Sequence, residues 1–153
     1  MKTGFAFGLL LLALAYLKTP MTAQAPSLVG RWEVTVTFTD NARRTLRFEA
    51  QAAGKGSLLV QDARSNLVEP AEPAAAKWTQ GEEGRVTFSG PVEFPIGNVG
   101  RLAGTMLCKG KFDMENSILG EAALYSSEQD IKDPQAVPSR TGTFKAKRIT
   151  TTQ

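Results

Sequence analysis

The chain has 153 residues, 42% of them hydrophobic and 22% charged, with no histidine and one cysteine. Without histidine, Ser-His-acid triads, Cys-His pairs and most zinc sites are excluded, and a single cysteine excludes an internal disulfide. We therefore predict a domain that is not an enzyme, uses no cofactor or metal ion and is held together by its hydrophobic core. Cys108 is expected to be a small buried side chain of that core.

The first 25 residues carry the pattern of a secretory signal peptide. Lys2 precedes an uncharged apolar run over residues 5–17, Lys18 ends the run, and small residues lead to Ala25. The run is shorter than the about 20 residues that cross the hydrocarbon core of a bilayer. We therefore expect residues 1–25 to be a signal helix that directs export and is then removed.

Cleavage after Ala25 leaves residues 26–153 as one exported domain, periplasmic or extracellular. Pro26 fits poorly after the cut, so cleavage after Ala23, or a retained leader that tethers the domain to a membrane, stays open. The leader carries two of the 18 basic residues and no acid, so the net charge falls from +3 to about +1 in the mature region. A nearly neutral domain of this kind is not expected to bind nucleic acid, and we expect a monomer.

The mature region opens with alternating apolar and polar residues, a period of two that predicts β-strands. In residues 30–39 one face is apolar, formed by Trp32, Val34, Val36 and Phe38. After an Asp-Asn turn, residues 43–52 repeat the pattern with Leu46, Phe48, Ala50 and Ala52. These two segments are predicted to form a hairpin.

The same alternation continues between glycines and prolines to the end of the chain. Further strands are predicted at residues 57–61, 77–79, 85–89, 99–112, 118–126 and 142–149. Residues 62–76 are predicted to be a loop, with a short helix at 71–76 as an alternative, residues 90–98 a bend and residues 127–141 a long polar loop. The fold class is therefore all-β, an antiparallel up-and-down meander of about eight strands that closes into a barrel.

The opening Gly30-Arg31-Trp32 and the ending Phe144-Lys145-Ala146-Lys147-Arg148 together resemble the calycins, the lipocalin- and avidin-type barrels. In that group a basic side chain of the last strand lies across the tryptophan of the first and closes one end of the barrel. The resemblance implies that Arg148 lies over Trp32. The glycine-rich middle strands and this ending also resemble small exported bacterial domains of unassigned function.

The first functional hypothesis is a small apolar ligand bound inside a lipocalin-like barrel. The candidate lining residues are Phe38, Phe48, Ala50, Met106 and Ala146. Three apolar residues of the 90–98 segment would form a lid over the mouth of the barrel, namely Val92, Phe94 and Ile96. In the alternative interpretation, the small inward residues only fit the taper of a filled core.

The second hypothesis is a protein–protein interaction module or inhibitor of the cell envelope, with an envelope or extracellular protein as its partner. Its basis is the segment Val92-Glu93-Phe94-Pro95-Ile96, which would present exposed apolar anchors. If this segment is packed onto the barrel wall, the second hypothesis loses its only support in the sequence.

Overall fold

The computed structural model describes residues 24–61, 72–97 and 100–150. Nearly all of the predicted signal helix and most of the predicted 62–76 loop therefore lie outside the described residues. Within the described ranges, no helix has the length and apolar character needed to cross a membrane.

Eight antiparallel strands follow one another around a closed ring, and the last strand pairs with the first. The strands are β1 (Gly30–Phe38), β2 (Arg43–Ala50), β3 (Lys55–Val60), β4 (Ala74–Gln80), β5 (Arg85–Ile96), β6 (Gly100–Met114), β7 (Ser117–Tyr125) and β8 (Arg140–Arg148). The predicted all-β meander of about eight strands is confirmed. We call the end where β1 begins and β8 ends the lower end, and the opposite end the upper end.

The bend predicted at residues 90–98 is wrong, because β5 continues through it to Ile96. Its pairing with β6 runs without interruption from Arg85 opposite Lys111 to Ile96 opposite Gly100. On the other side, the pairing of β4 with β5 covers only Val86–Ser89 of β5. The two prolines of β5 lie beyond that pairing, where a missing N–H costs no hydrogen bond to β4.

The alternative of a helix over residues 71–76 is also wrong for the part that the structure describes. Residues 74–76 are the start of β4, with Ala74 opposite Leu58 and Ala76 opposite Gly56. Alanine has the highest intrinsic helix propensity, but pairing with β3 and burial of Ala76 override that local preference.

A short helix, α1 (Glu128–Lys132), lies within the predicted 127–141 loop. The Ser127 side chain accepts a hydrogen bond from the Asp130 backbone N–H, and the Asp130 carboxylate accepts one from the Ser127 N–H. This capping box satisfies two backbone donors that would otherwise lack partners. The helix packs on the outer wall against β6 and β7, and Leu107 of β6 faces outward there but is only 8% exposed.

The inside of the barrel is filled by aromatic rings arranged from end to end. Near the lower end the Trp32 and Phe112 rings meet edge to face at 5.9 Å. In the middle, the Phe48 and Phe88 rings stack at 4.4 Å, and Phe88 meets Phe144 edge to face at 5.5 Å. Near the upper end, Phe38 and Phe94 meet at 6.2 Å. Each ring buries about 150–250 Å², so this column dominates the core.

Candidate functional site

All five candidate lining residues face the inside of the barrel and are at most 2% exposed. They are Phe38, Phe48, Ala50, Met106 and Ala146. Their neighbours are other side chains of the core: Phe48 stacks on Phe88, and Phe38 contacts Phe94.

Glycines on the inner face leave room for neighbouring side chains. A Cβ atom on Gly110 or Gly120 would lie 2.8 or 2.7 Å from the Phe144 ring, and one on Gly104 would lie 2.9 Å from Leu124 Cδ1. The space beside these small residues is thus already occupied by larger neighbours. This geometry favours a filled core over a ligand cavity at these positions.

The three predicted lid residues belong to the wall of the barrel. Val92 and Phe94 lie in β5 with their side chains in the core, 6% and 1% exposed, while Ile96 at the strand end is 50% exposed. The alternation of β5 continues through its prolines, so Val92 and Phe94 point inward like Val86 and Phe88. Neither residue covers a mouth or projects into solvent as an anchor.

The lower end is closed by Arg148 and Trp32. These residues are opposite each other in the β1–β8 register, and the guanidinium carbon lies 4.3 Å from the centre of the indole. Arg148 also donates hydrogen bonds to Asn116 Oδ1 and to the carbonyl oxygens of Val29 and Ser27. The contact that the calycin resemblance implies is present, with the guanidinium fixed by three acceptors.

The chain that precedes β1 crosses this lower end and is held there by side chains from distant strands. The Gln80 amide accepts a hydrogen bond from the Leu28 N–H and donates one to the Pro26 carbonyl, at 2.8 and 2.7 Å. The Trp32 indole N–H donates to the Leu28 carbonyl at 2.8 Å, and the Leu28 side chain is fully buried. Residues 26–28 are therefore part of the folded domain.

A groove lies on the outer face of the barrel, over β1 and β8 and their neighbours β2 and β7. Its volume is about 570 Å³, which is within the range of ligand pockets. Three outward residues of β1 and three of β8 run along it, together with one residue of β2, two of β7 and the inward-facing Phe144 of β8. The lining residues are Glu33, Thr35, Thr37, Arg43, Leu119, Gly120, Thr143, Phe144, Lys145 and Lys147.

The groove has a floor of short side chains between walls of longer ones. Thr37 and Thr143 are opposite each other across β1 and β8, and Arg43 is opposite Thr37 on β2. Lys145 and Lys147 extend from β8. Neither lysine nor Arg43 makes an ion pair or side-chain hydrogen bond with any residue that the structure describes. These three cations are therefore available to a ligand.

Cys108 is fully buried in the core, and burial raises the pKa of its thiol far above the ordinary value. This confirms the prediction of a small buried side chain. Among the described residues, no three His, Cys, Asp or Glu side chains lie close enough together to hold a metal ion.

Sequence reasoning missed the groove. Its floor and walls come from strands that are far apart in the chain, and only the register brings Thr35 opposite Lys145. The available signal was the pair of polar faces in residues 33–37 and 143–147, each of which the alternation marks as outward. No model of a known protein family matches the chain, and a search of the curated proteins finds no significant match.

Proposed function

We propose that residues 26–153 form an exported, non-enzymatic, calycin-like barrel that serves as a binding module of the cell envelope or the extracellular space. Its partner binds in the groove on the outer face of β1 and β8, not inside the barrel. This follows the second of the two functional hypotheses, but with a different surface.

The observation that carries the proposal is the groove itself. It is concave, it has the volume of a ligand site, and three of its long side chains are cations without partners among the described residues. Concave surfaces with a few convergent polar groups are the usual location of binding sites.

The filled interior supports the choice of the outer face. The central rings pack against one another, and Phe144 and Leu124 occupy the space beside the inward glycines. A ligand inside the barrel would have to displace these side chains, at the cost of packing that stabilises the fold.

The calycin-like character is supported by the lower end of the barrel, where the structure explains why glycine precedes Trp32 in the Gly-x-Trp sequence. Gly30 has a φ of 133°, and a Cβ atom there would lie 2.6 Å from Arg148 Nη1. Glycine therefore allows the backbone turn and leaves room for the guanidinium that covers Trp32.

Site-specific photo-crosslinking in the native host tests the proposal. A benzophenone amino acid replaces Thr35 or Thr143 in the groove floor, and as a matched control it replaces Thr87, an outward threonine of β5 on another part of the wall. We expect a covalent adduct of defined mass at the two groove positions and none at Thr87. Equal adducts at all three positions, or none, would contradict a binding site in the groove.

Native mass spectrometry of the protein purified from the same host tests the interior alternative. We expect the mass of the polypeptide alone. If the Lys145→Met variant still retains a small molecule and the Met106→Trp variant does not, the ligand lies inside the barrel and the proposal is overturned.

Export is tested by the N-terminus of the protein isolated from its host. We expect mature chains in the exported fraction that begin at Pro26 or Gln24. Full-length chains confined to the cytoplasm would contradict the proposed location.

A further inference from the structure

We propose that the groove binds an acidic polypeptide segment in an extended conformation. This inference rests on the proposed function and names the class of partner. The groove carries three cationic side chains and one carboxylate, a net charge of +2, whereas the mature region as a whole is nearly neutral. A local excess of positive charge without internal partners favours an anionic occupant.

The spacing of the lysines favours a polypeptide over other anions. Lys145 and Lys147 are two residues apart on β8 and both face outward, so their Cα atoms are about 6.8 Å apart. An extended peptide repeats its side chains on one face at the same interval. Acidic residues at alternate positions of such a peptide can therefore meet both lysines at once.

The β2 side of the groove adds one more positive charge, that of Arg43. Arg43 is opposite Thr37, which is in turn opposite Thr143, so the guanidinium and the β8 lysines lie on either side of β1. The strand between them contributes Thr35 and Thr37, whose hydroxyls can both donate and accept hydrogen bonds. A bound chain would lie along β1, with its polar backbone over these hydroxyls.

Glu33 makes the lower end of the groove less positively charged than the upper end. It is opposite Lys147 in the register and lies at the lower end of the groove. Its carboxylate weakens the attraction of an anion to Lys147 and leaves Lys145 and Arg43 as the stronger positions. Acidic side chains are therefore expected to bind mainly toward the upper end of the groove.

The test uses a capped synthetic peptide in which glutamate alternates with threonine. One control peptide has glutamine at the same positions, and a second has the same composition with its glutamates adjacent. Binding is followed at low salt by chemical-shift changes of the backbone amides. We expect the alternating peptide to shift Thr35, Thr143 and Lys145, the glutamine peptide to shift nothing, and the adjacent-glutamate peptide to bind more weakly.

Variants of the protein locate the site. Because exposed ion pairs contribute modestly, the double variant K145M/K147M is expected to weaken the alternating peptide about fivefold. The double variant K55M/K109M removes the same charge from outward lysines outside the groove and should leave binding unchanged. E33Q should tighten binding about twofold. High salt should weaken binding to the wild type.

Several results would overturn the inference. One is that the alternating peptide does not bind, or binds no more tightly than the adjacent-glutamate peptide. Another is an equal loss of peptide affinity in the two double variants. A third is that the protein binds dextran sulfate more tightly than the alternating peptide and that K145M/K147M abolishes this binding. Groove-specific crosslinks in the host with no peptide binding would reject the acidic peptide and leave the proposed function standing. Absence of both would reject both.

Discussion

The two ends of the barrel are closed by the same kind of contact, a guanidinium over an aromatic ring, but they differ in what holds the guanidinium. At the lower end Arg148 covers Trp32 and is bonded to two backbone carbonyls of the chain before β1. At the upper end the Arg140 guanidinium lies 5.0 Å from the Phe38 ring and is paired with the Asp40 carboxylate.

Both contacts join β8 to β1 or to the residues next to it, and they differ in how firmly each guanidinium is held. Arg148 connects the end of β8 to the residues that lead into β1, so its bonds join the two strands that complete the ring. Arg140 and Asp40 form a partly exposed pair between the start of β8 and the β1–β2 turn. A partly exposed pair of this kind contributes little to stability.

The largest expected effect is from Trp32→Ala at the lower end. It removes a fully buried ring, its contact with Phe112 and its hydrogen bond to the Leu28 carbonyl. We expect a loss of about 3–5 kcal/mol in the free energy of unfolding, measured in urea. The matched change at the upper end, Phe38→Ala, should cost about 1 kcal/mol less, because Phe38 has no comparable hydrogen bond. Equal losses would show that the two ends contribute alike.

The next effect concerns the glycine of the Gly-x-Trp opening. Gly30→Ala requires a residue with a side chain to adopt a φ of 133°, and it places the new Cβ atom against the Arg148 guanidinium. We expect this substitution to destabilise the fold by about 1–3 kcal/mol. The same change in an Arg148→Met background should cost less, because the steric conflict is absent. A double-mutant cycle from urea unfolding measures the difference. Additive costs would contradict a contact between Gly30 and Arg148.

The lower end was also the part of the molecule that sequence reasoning predicted best. Trp32 lies on the cleanest alternating strand, and Arg148 shares the inward face with Phe144, so the period of two and the calycin resemblance converge there. The closed meander of eight strands followed from the same alternation. Both depend on local patterns that a single sequence displays.

The remaining features depend on tertiary pairing that a local pattern does not display. Pro91 and Pro95 indicated a bend, and only the short pairing of β4 explains why they fit within β5. Ala74 and Ala76 have side chains too small to show an alternation. To predict the groove, the pairing register of β1 with β8 would have been needed, and no single segment of the sequence specifies that register.

A smaller loss of stability is expected when Arg148 or Arg140 is replaced. Arg148→Met removes hydrogen bonds from a charged donor to two backbone carbonyls and to Asn116, and should cost about 1–2 kcal/mol. Arg140→Met removes a partly exposed ion pair and should cost less than about 1 kcal/mol. Hydrogen exchange of the Leu28 amide should rise only in Arg148→Met. A rise in both variants would contradict the separation of the two ends.

The smallest effect on stability is expected for the ion pair between Lys77 of β4 and Glu128 of α1, which lies in the connection between β7 and β8. Lys77 Nζ lies 2.5 Å from Glu128 Oε1 of α1, and this hydrogen bond, together with the lysine charge, lowers the pKa of Glu128 below its usual value. The pair therefore stabilises the fold above the unfolded-state pKa and is lost as the pH falls through the lower folded-state pKa. Both groups are exposed, so Glu128→Gln should change the thermal midpoint little at neutral pH and not at all in acid. A carboxyl NMR titration checks the cause: the pKa of Glu128 should rise in Lys77→Met, and an unchanged value would show that the ion pair does not form in solution.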